Sequence, residues 1–143
     1  MSGNWAIGCA LFRSDVEKPV KRSVAVFIRN GSQILSTRRP DSDDELPGVW
    51  GLPAGSFRGD ETLPDLIRRI GMQKLGVRLD PVRKLTEGTQ ARSAYILHME
   101  LWEASMVGVP SHPEFRWASA DTLVPGCAVG SLCCELALRE CTL

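Results

Sequence analysis

One stretch of the chain, GSFRGDETLPDLIRRIGMQKLGV, carries residues whose types and spacing are suited to chemistry. Its first glycine is followed after five residues by the acidic Glu61, and Glu61 is followed after seven more by the basic Arg69. A Gly-Val pair closes the stretch. No carboxylate occurs from Leu66 to Val77, so this half of the stretch lacks the oxygen ligands that hard divalent cations prefer.

The stretch resembles the Nudix box, whose consensus reads G-x5-E-x7-R-E-U-x-E-E-x-G-U, where U is a bulky aliphatic residue. The residues that lead into it, WGLPAG, resemble the W-x-x-P-x-G approach of the same family. The matching structural positions are Gly55, Glu61, Arg69 and Gly76. The resemblance implies that Glu61 and Arg69 form an ion pair that holds a loop against a helix.

The chain departs from the family where the metal-binding glutamates are expected, because Ile70, Gln73 and Lys74 replace them. Family members cleave nucleoside diphosphates linked to another group, and their divalent cations activate water and neutralise phosphate charge. A lysine ammonium repels such a cation where a ligand should attract it. We therefore expect no metal site on the box helix and no cofactor. Mg or Mn is expected only if the protein is a hydrolase with a rearranged metal site.

Further residues are candidates for ligand binding or catalysis. Arg38 and Arg39 are candidate pyrophosphate contacts, since a guanidinium can make two parallel bonds to phosphate oxygens; alternatively, they are a solvated pair balanced by the acids of the next loop. Lys74 is a third candidate phosphate contact, or else a lysine whose stem lies along an apolar stripe. The candidate catalytic acids are Glu61, which Arg69 competes for, and Glu114, which is otherwise an exposed carboxylate at a strand edge.

Length and composition limit the class of protein. A chain of 143 residues fits one domain, which we assign to residues 1–143, with 1–22 as an N-terminal strand and linker. The 17 basic residues equal the 17 acidic ones, so no global field favours nucleic acid or an anionic membrane. No run approaches the roughly 18 apolar residues of a membrane span. We expect a cytoplasmic protein that binds a small nucleotide derivative, and the resemblance makes a homodimer the candidate assembly.

The five cysteines lack the spacing of a zinc site. They are Cys9, Cys127, Cys133, Cys134 and Cys141. Four of them crowd near the C-terminus, where we expect free thiols on a terminal helix, with structural zinc as the alternative.

The hydrophobic pattern predicts strands separated by a central helix and followed by a terminal one. The predicted strands are Asn4 to Arg13, Ser23 to Arg29, Gln33 to Thr37 and Ser93 to Glu103. A linker from Ser14 to Lys21 joins the first two strands, and a turn at Asn30-Gly31 joins the second and third. Loops are predicted from Arg38 to Pro47 and from Thr86 to Ala91. The central helix begins at Thr62, which can cap it, with Pro64 and Asp65 in the first turn. The terminal helix spans Val129 to Cys141. The resemblance implies an α/β Nudix fold, in which a mixed sheet is sandwiched between helices (α/β/α), and the pattern fits this layering.

Three functional hypotheses remain open. The first is a nucleotide-binding protein with impaired or no hydrolysis. The second is a hydrolase that cleaves a nucleoside diphosphate-linked substrate through a rearranged metal site. The third is a non-catalytic interaction protein that keeps the fold for stability.

Overall fold

The computed structural model describes residues 18–112 and 114–141. In chain order the elements are β1 (Val20–Phe27), β2 (Arg29–Asn30), β3 (Gln33–Arg38), β4 (Trp50–Gly51), β5 (Ala54–Ser56), α1 (Leu63–Lys74), β6 (Arg78–Ala91), β7 (Ile96–Val107), β8 (Phe115–Ala118), a 3-10 helix (Ala120–Leu123), α2 (Val124–Ala128) and α3 (Leu132–Cys141). The predicted strand from Asn4 to Arg13 and the thiol of Cys9 lie outside the described residues. None of the described helices is long and apolar enough to cross a membrane.

The strands form two four-stranded sheets. The first has the order β5-β1-β7-β6, in which β1 and β7 are parallel and the other pairs are antiparallel. The second joins β2, β3 and β4, and β8 also pairs with β3. The predicted mixed α/β fold is confirmed.

The helices cover opposite faces of the first sheet because its central strand β1 is apolar on both sides. Val24 and Val26 belong to a buried cluster with α1, whereas Ala25 and Phe27 belong to a second cluster with α3. Successive side chains of a strand point to opposite faces, so this run of buried residues serves two cores. Leu66 and Ile67 of α1, and Leu132 and Leu136 of α3, are 2% exposed or less.

Helix α1 begins as its sequence predicts. The Thr62 hydroxyl accepts a hydrogen bond from the Asp65 amide at 3.3 Å, and the Asp65 carboxylate accepts one from the Thr62 amide at 3.4 Å. Pro64 lies in the first turn, where its missing amide hydrogen costs nothing. These reciprocal bonds satisfy amides that a helix start leaves unpaired.

Close packing explains the glycine that replaces a bulky aliphatic residue inside α1. A Cβ added to Gly71 would lie 2.7 Å from both Leu79 Cγ and the Val77 carbonyl oxygen. Glycine in a helix interior costs about 1 kcal/mol relative to alanine. Because Gly71 has no side chain, α1 can lie directly against β6, and this packing offsets the cost.

Several predicted boundaries are wrong. Strand β1 begins at Val20, inside the predicted linker, because its first residues pair with β7. The residues from Thr86 to Ala91 are not a loop but the end of β6, paired with β7 throughout. Gly88 suits this strand because a Cβ there would lie 3.1 Å from Leu136 Cδ2 of α3.

Two further boundaries differ. The hairpin connection between β2 and β3 consists of residues 31 and 32, and of the predicted turn pair only Gly31 has a positive φ, of +63°. The terminal helix begins at Leu132 rather than Val129, because Gly130 has a φ of +98° and separates α2 from α3.

Candidate functional site

A cleft of about 600 Å³ opens where the two sheets meet. Its walls are the end of β3 with the following loop, strand β5, the C-terminal end of α1, and the start of β7. Arg38, Arg39, Lys74 and Glu114 all line this cleft. The fold therefore brings together four of the residues that the sequence singled out.

The two arginines are already engaged by acids of their own loop. Arg38 Nη2 lies 2.6 Å from Asp41 Oδ1, and Arg39 Nη1 lies 3.1 Å from Asp43 Oδ2. Burial acts to raise the pKa of Asp43, but the hydrogen bond from the Leu46 amide and the charge of Arg39 outweigh it and lower the pKa. Both arginines therefore border the cleft as ion pairs with acids of their own loop, and their role as pyrophosphate contacts stays a prediction.

A hydrogen-bonded cluster at the other wall was missed by the sequence analysis. The Tyr95 hydroxyl donates to Glu45 Oε1 at 2.6 Å, and Arg92 Nη1 donates to Glu45 Oε2 at 2.8 Å. The Tyr95 hydrogen bond lowers the pKa of Glu45, and burial raises the pKa of Tyr95. Lys21 Nζ lies 5.0 Å from the centroid of the Tyr95 ring, a cation–π distance. Glu45 lies 47 positions from Arg92 and 50 from Tyr95 in the chain, so no local spacing reveals this cluster.

The predicted ion pair between Glu61 and Arg69 is confirmed. Arg69 Nε lies 2.8 Å from Glu61 Oε2, and Arg69 Nη2 lies 3.0 Å from Glu61 Oε1. Arg69 Nη2 also donates to the Ser56 carbonyl at 2.7 Å, which ties α1 to β5. The side chains of Arg69 and Glu61 are only 18% and 14% exposed. Glu61 lines neither the cleft nor a second cavity, of about 260 Å³, that lies beside it between β5, the following loop and α1. In this geometry the Glu61 carboxylate is engaged by Arg69, and its candidate role as a catalytic acid stays a prediction.

The three positions that replace the family glutamates have different environments. Ile70 is 1% exposed and packs in the core between α1 and β5, where a Cβ on Gly55 would lie 3.1 Å from Ile70 Cγ1. Gln73 and Lys74 are exposed and line the cleft. Among the described residues, the Lys74 ammonium has no hydrogen-bond or salt-bridge partner.

The described residues offer few ligands for a divalent cation. No three His, Cys, Asp or Glu side chains converge as a possible metal-binding group within residues 18–112 and 114–141. The cleft acids Asp41, Asp43 and Glu45 are each paired with an arginine. The Glu114 carboxylate borders the cleft, and among the described residues it has no side-chain partner. Mg²⁺ keeps several waters and is commonly held by one or two carboxylates together with substrate phosphates, so Glu114 alone provides a partial set of ligands in this geometry.

The cysteines of the described region are free thiols. Cys133 and Cys134 are buried on α3, Cys141 is exposed at the end of that helix, and Cys127 is half-buried on α2 rather than on the terminal helix. The Cys134 thiol donates to the Trp50 carbonyl at 3.4 Å, and Cys133 Sγ accepts from the Leu52 amide at 3.5 Å. These two hydrogen bonds help to attach α3 to the segment that leads into the box.

Comparison with known proteins identifies the class that this fold and box define. A family model described as the NUDIX domain matches residues 19–129, and the chain belongs to the Nudix family. No curated protein matches the chain.

Solved structures share the fold at low sequence identity. The E. coli ORF135 protein is 22% identical with a TM-score of 0.68, over 87% of this chain and 94% of that one. The MutT protein from Methanosarcina mazei Go1 is 22% identical with a TM-score of 0.70, over the same shares. An ADP-ribose pyrophosphatase from Streptococcus suis is 15% identical with a TM-score of 0.58, over 83% of this chain and 90% of that one.

Proposed function

We propose that this protein binds a nucleoside diphosphate derivative in the cleft by direct contacts between cationic side chains and phosphate oxygens, with impaired or no hydrolysis. The observation that carries the proposal is Lys74. It places an ammonium without a partner among the described residues at the cleft, at a position where the family has a metal-binding glutamate.

The chemistry of Lys74 supports binding more than turnover. An ammonium donates charge-assisted hydrogen bonds to phosphate oxygens. It does not polarise and deliver a water molecule as a bound metal ion does. Phosphate binding at Lys74 therefore needs no metal ion. Arg38 and Arg39, in contrast, would first have to exchange their present carboxylate partners for phosphate.

The ligand class rests on family membership and on the cleft. The solved structures that share the fold of this chain include a protein described as an ADP-ribose pyrophosphatase. A cleft of about 600 Å³ falls within the roughly 300–1,000 Å³ of small-molecule sites. Equal numbers of acidic and basic residues favour a small ligand over nucleic acid or a membrane. A cytoplasmic location and a homodimer stay predictions.

Calorimetry with ADP-ribose and other nucleoside diphosphate sugars in EDTA tests the proposal. We expect binding that survives chelation and becomes at least tenfold weaker, by about 1.4 kcal/mol, in Lys74→Ala. The matched control is Met72→Ala, since Met72 lies on the same helix, is 62% exposed and lines neither cavity. Binding that requires Mg²⁺, or that ignores Lys74→Ala, contradicts the proposal.

The hydrolase alternative has one observation in its favour, the available carboxylate of Glu114 at the cleft. If it holds, the same ligands are cleaved in Mg²⁺ or Mn²⁺, and Glu114→Gln abolishes the release of product. If no nucleotide derivative binds under either condition, the interaction-protein alternative is favoured instead.

A further inference from the structure

The loop between β3 and β4 is a compact surface loop whose two ends lie close together. At its neck the Arg39 amide donates to the Val49 carbonyl at 2.9 Å, and the Gly48 amide donates to the Arg39 carbonyl at 3.1 Å. Gly48 has a φ of +70°, a conformation that favours glycine. Loops of this length with adjoining ends form units of their own on a protein surface. We call residues 39–48 the 39–48 loop.

Asp43 holds the inside of the 39–48 loop together. Its carboxylate accepts hydrogen bonds from the Leu46 amide at 2.8 Å and from the Glu45 amide at 3.2 Å. The Asp43 amide itself donates to the Pro40 carbonyl at 3.0 Å. These bonds fix the turn that carries Glu45, so its side chain leaves the loop in a set direction.

The wall that receives Glu45 is the turn from Arg92 to Tyr95, between β6 and β7, and it is anchored from several sides. Arg92 Nη2 donates to the Gly130 carbonyl at 3.4 Å, which ties Arg92 to the turn between α2 and α3. The Arg92 amide donates to the Tyr95 carbonyl at 2.8 Å, and Lys18 Nζ donates to the Arg92 carbonyl at 3.2 Å. The Arg92 side chain is only 15% exposed. This turn is therefore an anchored receptor for a group that comes from the loop.

Glu45 connects the loop to this receptor. Within residues 18–112 and 114–141, the hydrogen bonds that cross from the 39–48 loop to the β6–β7 turn are both made by the Glu45 carboxylate, to Tyr95 and to Arg92. Bonds to an ionised carboxylate are stronger than bonds between neutral groups. All three residues line the cleft, so the contact joins one of its walls to the other. We call these two bonds the Glu45 latch.

We infer that the Glu45 latch holds the 39–48 loop against the β6–β7 turn, and that release of the latch opens the cleft at this side. The Glu45 side chain is 38% exposed, so water can take the place of its partners when the latch opens. An anionic group that pairs with Arg92 displaces Glu45 in the same way and releases the loop. The inference rests on the proposed function only for the ligand that the open cleft admits.

Amide hydrogen exchange resolved by NMR tests the latch without any ligand. We expect Glu45→Ala to speed the exchange of the Asp43 and Gly48 amides at least fivefold, which corresponds to about 1 kcal/mol. Both amides are bonded within the loop and at its neck rather than to Glu45, so a purely local role of Glu45 leaves their exchange unchanged. Tyr95→Phe removes one of the two bonds and should have a smaller effect in the same direction.

Asp44→Asn is the matched control for Glu45→Ala. Asp44 is an exposed acid of the same loop, its carboxylate has no hydrogen bond or ion pair among the described residues, and it lines neither cavity. We expect its exchange pattern to equal that of the parent protein. Equal exchange of the Asp43 and Gly48 amides in Glu45→Ala and the parent protein overturns the inference.

Association kinetics with ADP-ribose in EDTA test the opening of the cleft. The association rate constant should be at least fivefold higher in Glu45→Ala than in Asp44→Asn. Because both variants remove one negative charge from the same loop, this comparison cancels the electrostatic attraction of an anionic ligand. Faster amide exchange with an unchanged association rate constant overturns the role of the latch in opening the cleft.

The two measurements also separate the latch from the proposed function. If exchange is faster in Glu45→Ala but ADP-ribose binds to neither protein, the latch stands and the proposed function fails. If ADP-ribose binds in EDTA and needs Lys74, while Glu45→Ala changes neither exchange nor association, the proposed function stands and the latch fails.

Discussion

Replacing Ile70 by glutamate would return a family carboxylate to the box, and we expect it to destabilise the fold rather than to create a metal ligand. Ile70 is 1% exposed and belongs to the core cluster that α1 forms with the sheet. Its Cγ1 lies 3.1 Å from the point that a Cβ on Gly55 would occupy. Ile70 also borders the second cavity, beside Arg69 and Lys74, but its 1% exposure means that a carboxylate confined to this position loses nearly all contact with water.

The size of the effect follows from two costs. Truncating a buried isoleucine typically costs about 2–5 kcal/mol, of which the glutamate methylenes recover part, at about 0.8 kcal/mol per buried CH₂. Burying a polar group without a partner adds about 1–3 kcal/mol. We expect Ile70→Glu to lower the free energy of unfolding by about 3–5 kcal/mol, out of the roughly 5–15 kcal/mol typical of a domain.

The destabilisation should depend on pH. Burial disfavours the charged carboxylate and raises the pKa of the introduced group above its unfolded value of about 4.3. The unfolded state then loses its proton first as the pH rises, so the stability deficit is smallest below about pH 4 and grows toward neutral pH.

Urea unfolding followed by tryptophan fluorescence measures this, since the chain has four tryptophans. Ile70→Val should cost about 0.5–1.5 kcal/mol. Gln73→Glu, at an exposed position, should change stability by less than about 0.5 kcal/mol. If Ile70→Glu is as stable as Gln73→Glu at pH 7, the packing argument is refuted. Stabilisation of Ile70→Glu by millimolar Mg²⁺ would refute the expectation that the introduced carboxylate is not a metal ligand.

Two other predictions concern how α1 is held. Gly71→Ala should lower the urea midpoint although alanine favours helices, because overpacking against Leu79 typically costs about 1–3 kcal/mol and the gain in helix propensity is about 1 kcal/mol; a raised midpoint would contradict the close packing. Glu61→Gln should lower the free energy of unfolding most near neutral pH. The hydrogen bond from Arg69 lowers the pKa of Glu61, so its contribution to stability is present above the unfolded pKa of about 4.3 and is lost as the pH falls through the lower folded value. If the free energy of unfolding depends on pH in the same way in Glu61→Gln and in the parent protein, the ion pair does not contribute to stability as argued.

Features set by neighbours in the chain could be predicted from the sequence. The start of α1 depends on Thr62, Pro64 and Asp65, which act within one helical turn. The double-sided core of β1 is visible in an unbroken apolar run. The Glu61–Arg69 pair was predictable because the spacing between its members is part of a known box.

Features that depend on distant neighbours could not be predicted. Gly88 resembles a loop residue until α3 is seen to approach it within van der Waals contact. The pairing of Tyr95 and Arg92 with Glu45 joins two walls of the cleft. The basic character of the second cavity needs Lys21 from β1 and Arg58 from a loop beside α1, and neither stands out in a chain with equal numbers of acidic and basic residues.

The substitutions in the box change the kind of chemistry available without removing the cleft. A divalent cation supplies concentrated charge and open coordination positions, so it can bind phosphate and also activate water. Fixed side-chain cations such as Lys74 supply charge and hydrogen bonds but no coordination position for water. Ile70 fills the position of one family metal ligand with a buried apolar side chain. Under the proposed function, binding and hydrolysis, which one metal site combines, are separated, and binding that survives chelation together with the absence of turnover is the result that tests this.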